Sequence, residues 1–164
     1  METAQRVSPV DLQTVDIFAG LSAENLERIA RYCTFQSFKA GDYVAVQGKM
    51  IDHLMAVNQG KVAVEMRIDI PRYSHTVTVT TLTSGRVCAW SALVPPHMLT
   101  ASISALEDTR MVSIKGADLL RIFQEDPVIE ATVMRNLATV ISSRLRDNQA
   151  QLTRLVAEVI KLGR

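Results

Sequence analysis

"HLMAVNQGKVAVEMRI", residues 53–68, sets the class of fold. It is rich in Val, Ala, Met and Ile and is punctuated by Gly60. The passage reads as β-strand with period-two alternation, and its texture continues on both sides. From Thr34 to about Lys115 the chain is a series of short runs of Val, Thr, Ile and Phe punctuated by Gly41, Gly48, Gly60 and Gly85. "DYVAVQG" (42–48), "HTVTVTTL" (75–82), "TASISAL" (100–106) and "TRMVSI" (109–114) each read as a strand with period-two alternation. Many short strands at regular spacing predict a β-sandwich or a jelly roll.

Helical patterns bracket this β region. In "FAGLSAENLERIARYC" (18–33) Ser22 is a helix N-cap, Leu21 and Leu26 stand at the positions of a hydrophobic staple, and Leu26, Ile29, Ala30 and Cys33 fall on one face. "GADLLRIFQEDP" (116–127) predicts a short helix closed by Pro127, itself suited to the first position of the next helix. From Val128 to about Leu162 no glycine or proline interrupts the pattern. Such a helix runs roughly 50 Å, too long to bury its whole stripe on a small β domain. Its first half, through Met134, Leu137 and Ile141, is expected to fold back on the roll. Its second half, Leu145, Asn148, Leu152, Leu155 and Val159, is expected to pair with a second copy as a parallel coiled coil, with Ile141 at the head of the seam and Asn148 fixing register. The chain thus divides into residues 1–127, the β domain with its N-terminal helix, and residues 128–164, the dimerising helix.

Composition narrows the function. The 164 residues carry a formal net charge of +1, so no global field attracts nucleic acid or an anionic membrane. Apolar runs stay short of the ~18 residues needed to cross a bilayer, and "METAQRVSPVD" lacks the core of a secretory signal. Cys33 and Cys88 are far apart, with no metal-ligand spacing around them, and read as reduced, buried thiols of a cytoplasmic protein. His53, His75 and His97 are isolated and no nucleophile motif accompanies them, so no catalytic residue, enzymatic activity, metal or cofactor is expected.

The order of helix, glycine-punctuated strands, short helix and long helix resembles the cyclic nucleotide-binding domain of catabolite-activator and FNR-type regulators, ion channels and kinases. Residues 17–64 are similar to that family's opening, "LTSGRVCAWSALV" (82–94) to its phosphate-binding cassette, "LTASISALEDTRMVSI" (99–114) to the strands that follow, and "DLLRIFQEDP" (118–127) to the helix before its dimerisation helix. The resemblance implies a mainly β fold with flanking helices: an antiparallel β-roll of the jelly-roll, double-stranded β-helix type, with a short N-terminal helix and a long C-terminal one. It also implies a regulatory or sensor module, acting as a homodimer or through a regulatory protein partner. Haem is the one alternative cofactor the resemblance suggests, through His97, Met98 or Cys88.

The candidate ligand pocket is the cassette: Arg86, Val87, Cys88, Ala89, Trp90, Ser91, Ala92, Leu99 and Thr100. In the family a glycine lets backbone amides approach the cyclic phosphate, a glutamate accepts the ribose hydroxyl and an arginine pairs with the phosphate charge. Gly85, Val87, Ala92 and Leu93 keep the frame, but Ala89 stands at a glycine position, Trp90 at the glutamate and Leu99 at the arginine. Losing one buried partner of a charge pair costs about 2–5 kcal/mol, so cAMP or cGMP held in the usual way is not expected. Ser91, Thr100 and the amides of residues 90–92 remain for a small anion, with Arg86 as the substitute charge. Two answers follow: Trp90 and Leu99 plug the pocket and leave a ligand-free scaffold, or they line it for a small apolar or aromatic ligand. Because the chain stops at Arg164, no winged helix-turn-helix is expected. Arg144, Arg146, Arg154, Lys161 and Arg164 are read as the solvated flank of the coiled coil, and nucleic-acid binding as a weak third reading.

Overall fold

The computed structural model describes residues 6–163; residues 1–5 and Arg164, the last of the basic positions above, lie outside the described residues. The elements run α1 (Pro9–Gln13), a 3₁₀ turn (Asp16–Phe18), α2 (Ala23–Ala30), then strands β1 (Cys33–Phe38), β2 (Tyr43–Ala45), β3 (His53–Gln59), β4 (Val62–Ile70), β5 (Tyr73–Leu82) and β6 (Val87–Cys88). A second 3₁₀ turn (Trp90–Leu93) precedes β7 (Ser102–Ala105), β8 (Thr109–Lys115), α3 (Gly116–Glu125) and α4 (Pro127–Leu162). The strands form two antiparallel sheets, ordered β1-β8-β3-β6 and β2-β7-β4-β5. This is the expected β-roll with flanking helices.

β3 departs from simple alternation. Leu54, Met55, Ala56 and Val57 are all buried, because its sheet is covered on both sides. Leu54 and Ala56 join the core formed with the helices, whereas Met55 and Val57 join the core between the sheets with Val62, Leu82 and Met111. Cys33 is a correction: it opens β1 rather than continuing α2, since the helix ends at Ala30. Its thiol remains in the same core and donates to the Ile29 carbonyl at 3.4 Å. Ser22 caps α2 as expected, its hydroxyl accepting from Asn25 N at 3.2 Å.

The face of α4 that packs on the domain is wider than the expected stripe and shifted to one side of it. Ile129, Val133 and Leu137 are buried and Met134 and Val140 pack beside them, so Met134 and Leu137 lie where expected, while Ile141 is 39% exposed. The start of α4 is held by polar contacts that define this orientation. Asp126 caps it by accepting from Val128 N and Ile129 N, and also receives Arg28 from α2 at 3.0 Å. Asn136 donates to the Ile17 and Ala19 carbonyls, at 3.1 and 2.8 Å, which fastens the helix to the first 3₁₀ turn.

The hairpin turn at Gly60 has φ near +100°, and a β-carbon there would lie 2.5 Å from Thr109 Oγ1 and 2.8 Å from the Asp108 carbonyl. Gly48 also has positive φ (+79°) but open space around it. Gly48→Ala therefore loses about 1–2 kcal/mol in urea unfolding, the cost of a left-handed residue alone. Gly60→Ala loses a further ~1–3 kcal/mol from overpacking.

Candidate functional site

The cassette begins where the chain leaves β5. Gly85 N donates to the Val57 carbonyl and Gly85 O accepts from Asp16 N, both at 2.8 Å, so the turn is clamped between β3 and the first 3₁₀ turn. The Asp16 carboxylate completes the clamp, accepting from Ile17 N at 2.8 Å and from Val87 N at 3.3 Å. Burial pushes the Asp16 carboxyl up, against the opposing pull of those amides and of Arg86 and Arg144. Ala89 then adopts a left-handed conformation, φ 57° and ψ 32°. A glycine would take this without cost; the alanine methyl occupies it under strain of order 1–2 kcal/mol.

The one-turn helix Trp90–Leu93 follows, with Ala92 and Leu93 buried. His97 Nδ1 lies 2.9 Å from the Ser91 carbonyl and ties the proline loop back to this turn. Leu99 is fixed on both sides by backbone bonds, its N to Lys49 O at 3.0 Å and its O from Gly48 N at 2.8 Å. Its side chain is 6% exposed and belongs to the core between the sheets.

The pocket residues named from sequence separate into three groups. Cys88, Ala89, Trp90, Ser91, Leu99 and Thr100 do surround one cavity, floored by Val64 and Ile103, with a volume of only ≈ 50 Å³. Val87 faces the opposite way, into the helical core, and Ala92 lines a separate groove beside α3. Arg86 is exposed on the turn and does not line the cavity. The residues weighed for haem are likewise divided: Cys88 lines the cavity, His97 the groove beside α3, and Met98 is 46% exposed.

The cation at this cavity comes from α4, which the sequence reading did not anticipate. Arg144 lines it, and its Cζ sits 5.8 Å from the Trp90 ring centroid. One of its terminal nitrogens donates to the Val87 carbonyl at 3.3 Å, the other lies 3.8 Å from Asp147, and Nε is buried without a hydrogen bond among the described residues. With 13% of the side chain exposed, Arg144 is not a solvated flank residue. The correction has a geometric cause: Val133, Leu137, Val140 and Arg144 are spaced four, three and four apart, so Arg144 extends the packed stripe. Burial lowers the Arg144 pKa, as expected of a guanidinium with few partners. Arg146, Arg154 and Lys161 are exposed.

Beyond Arg144 the outward face of α4 is apolar. Leu145, Leu152 and Val159 are 57%, 62% and 69% exposed, and Asn148 is exposed in line with them. Leu155 is half-buried, turned toward the Arg144 side, and Val156 and Ile160 stand exposed instead.

A β-roll with a one-turn cassette helix beside a long C-terminal helix is the architecture of a cyclic nucleotide-binding-like regulatory domain. A profile of the cyclic nucleotide-binding domain matches residues 35–126, and the chain belongs to that family. A putative cyclic nucleotide-binding protein from Geobacter metallireducens superposes with a TM-score of 0.70 at 27% identity, over 85% of this chain and 98% of that one. The Thermus thermophilus catabolite activator protein superposes with a TM-score of 0.68 at 25% identity, over 86% of this chain and 63% of its own. Glutaminase 1 of Bradyrhizobium diazoefficiens is 26% identical over 137 residues, 82% of this chain; the chain spans 21% of that relative's length.

Burial pushes the thiols of Cys33 and Cys88 from 9.0 to about 12. Both are expected to resist Ellman's reagent in the folded protein at pH 8 and to react at once in denaturant. Because the folded thiols titrate later than the unfolded ones, stability falls as pH rises from about 9 toward about 12.

Proposed function

We propose that the chain is a regulatory module that signals through α4 paired with a second copy of itself, and that its cassette does not take cAMP or cGMP in the family's usual manner. The size and chemistry of the cavity carry this reading. Sites for drug-sized ligands occupy about 300–1,000 Å³. The cassette cavity offers ≈ 50 Å³, has no carboxylate in its lining, and has an indole and an isobutyl group where the family has an acid and a base.

The exposed apolar row on α4 supports the pairing. Ile141, Leu145, Leu152 and Val159 are solvated in the isolated chain, with Asn148 among them, and burying them against an identical helix removes that cost. The catabolite activator protein of Thermus thermophilus shares the fold, which favours a regulatory output. A ligand-free scaffold is the second reading, favoured by the incorporation of Leu99 into the core.

Two measurements test the proposal. Sedimentation velocity is expected to show a dimer that Leu145→Asp with Leu152→Asp converts to a folded monomer; a monomeric unmodified protein removes the pairing. Titration calorimetry with cAMP and cGMP is expected to show no saturable heat, and micromolar binding of either refutes the cassette reading.

A further inference from the structure

A groove of ≈ 590 Å³ opens beside α3 and shares no lining residue with the cassette cavity. Sites for drug-sized ligands occupy about 300–1,000 Å³ and are mostly apolar, with a few polar groups that fix orientation. This groove has that composition. Met50 and Ile51 from the loop before β3, Ala92 from the second 3₁₀ turn, and Ala117 and Leu120 from α3 supply its apolar lining. Met50 is exposed and Ile51 and Leu120 are only half-buried, so apolar surface here still faces water.

Main-chain bonds hold the walls in place. Ile51 N donates to the His97 carbonyl at 2.9 Å, and Gly116 N, at the start of α3, donates to the Asp52 carbonyl at 2.8 Å. Met50 pairs with Met98 in an antiparallel bridge, and His97 Nδ1 is tied to the Ser91 carbonyl at 2.9 Å. Gly116 leaves no room for a β-carbon against the Ala92 carbonyl, so α3 begins directly on the turn. Walls fixed in this way lose little ordering entropy when a ligand binds.

The polar side chains of the lining, Asp52, His97 and Lys115, are not equally free. Asp52 Oδ1 is engaged by His53 Nδ1 at 2.6 Å, and His97 is engaged by Ser91. Lys115 is exposed and makes no side-chain hydrogen bond or ion pair within the described residues, acting on Asp52 only at longer range. The uncommitted charge is therefore positive. We infer that the groove binds an apolar monocarboxylate, with its hydrocarbon body on Met50, Ile51, Ala117 and Leu120 and its carboxylate paired with Lys115. A carboxylate fits better than an amine because the one acid of the lining already has its partner. The inference is independent of the dimeric regulatory reading, since neither α4 nor the cassette cavity contributes to the groove.

Titration calorimetry of the full chain with sodium octanoate is expected to give a saturable heat that neither sodium acetate nor octylamine reproduces. Acetate lacks the apolar body, and octylamine carries the opposite charge. Lys115→Gln is expected to weaken octanoate binding about two- to fivefold, the worth of a solvent-facing ion pair. Ala117→Trp places bulk in the groove and is expected to abolish the heat. If that variant does not fold by circular dichroism, Met50→Ser carries the test, because it removes apolar wall and is expected to weaken binding. No saturable heat with octanoate overturns the inference and leaves the dimeric regulatory reading standing. Octylamine binding as tightly as octanoate overturns it through the charge, and an unchanged octanoate heat in the folded variants overturns it through the location.

Discussion

The contact of the Arg144 guanidinium with the face of Trp90 is the constraint on which the arrangement of this domain turns. It joins the long helix to the cassette, two segments more than fifty residues apart in sequence, at a place where both are partly shielded from water. A cation over an indole is worth ~0.5–1 kcal/mol when exposed and about 2 kcal/mol when desolvated. That sum is small beside the apolar core, but it is directional. It requires α4 to present the face bearing Val133, Leu137 and Val140 to the domain, which leaves Leu145, Leu152 and Val159 facing away. The polar clamps at the base of α4, Asp126 with Arg28 and Asn136 with two carbonyls, fix the same rotation from the other end.

The cassette combines a glycine-like backbone with largely apolar side chains. Ala89 still adopts the left-handed conformation for which glycine is suited, and the turn before it is still pinned by Gly85. What differs is the source of charge. No cation remains in the segment after the one-turn helix, where Leu99 is core, and the guanidinium at the cavity arrives from α4 instead.

Features encoded by short-range rules were legible in the sequence. The glycine-punctuated strands, the Ser22 cap, the proline start of α4 and the β-roll all follow from turn chemistry and alternation within a few residues. α1 had such a signal too, the Asp11 carboxylate accepting from both the backbone N and the hydroxyl of Ser8 ahead of Pro9, but at five residues it carries too little apolar periodicity to stand out. Arg144 was missed for a different reason. α4 bears two interleaved apolar stripes that share Leu137, and following Met134, Leu137 and Ile141 placed Arg144 on the solvent side. The spacing of Val133, Leu137, Val140 and Arg144 held the correct answer, but only the rest of the domain selects between the stripes. Asp16 gave no sequence signal, because its role depends on backbone amides brought to it by the turn at Gly85.

The coupling of the cassette to α4 is tested most directly by a double-mutant cycle on Trp90→Ala and Arg144→Ala, with stability measured by urea unfolding of all four proteins. A cassette held to the helix by this pair gives a favourable coupling energy of at least about 0.5–1 kcal/mol. Strictly additive losses, with coupling indistinguishable from zero, would contradict the account.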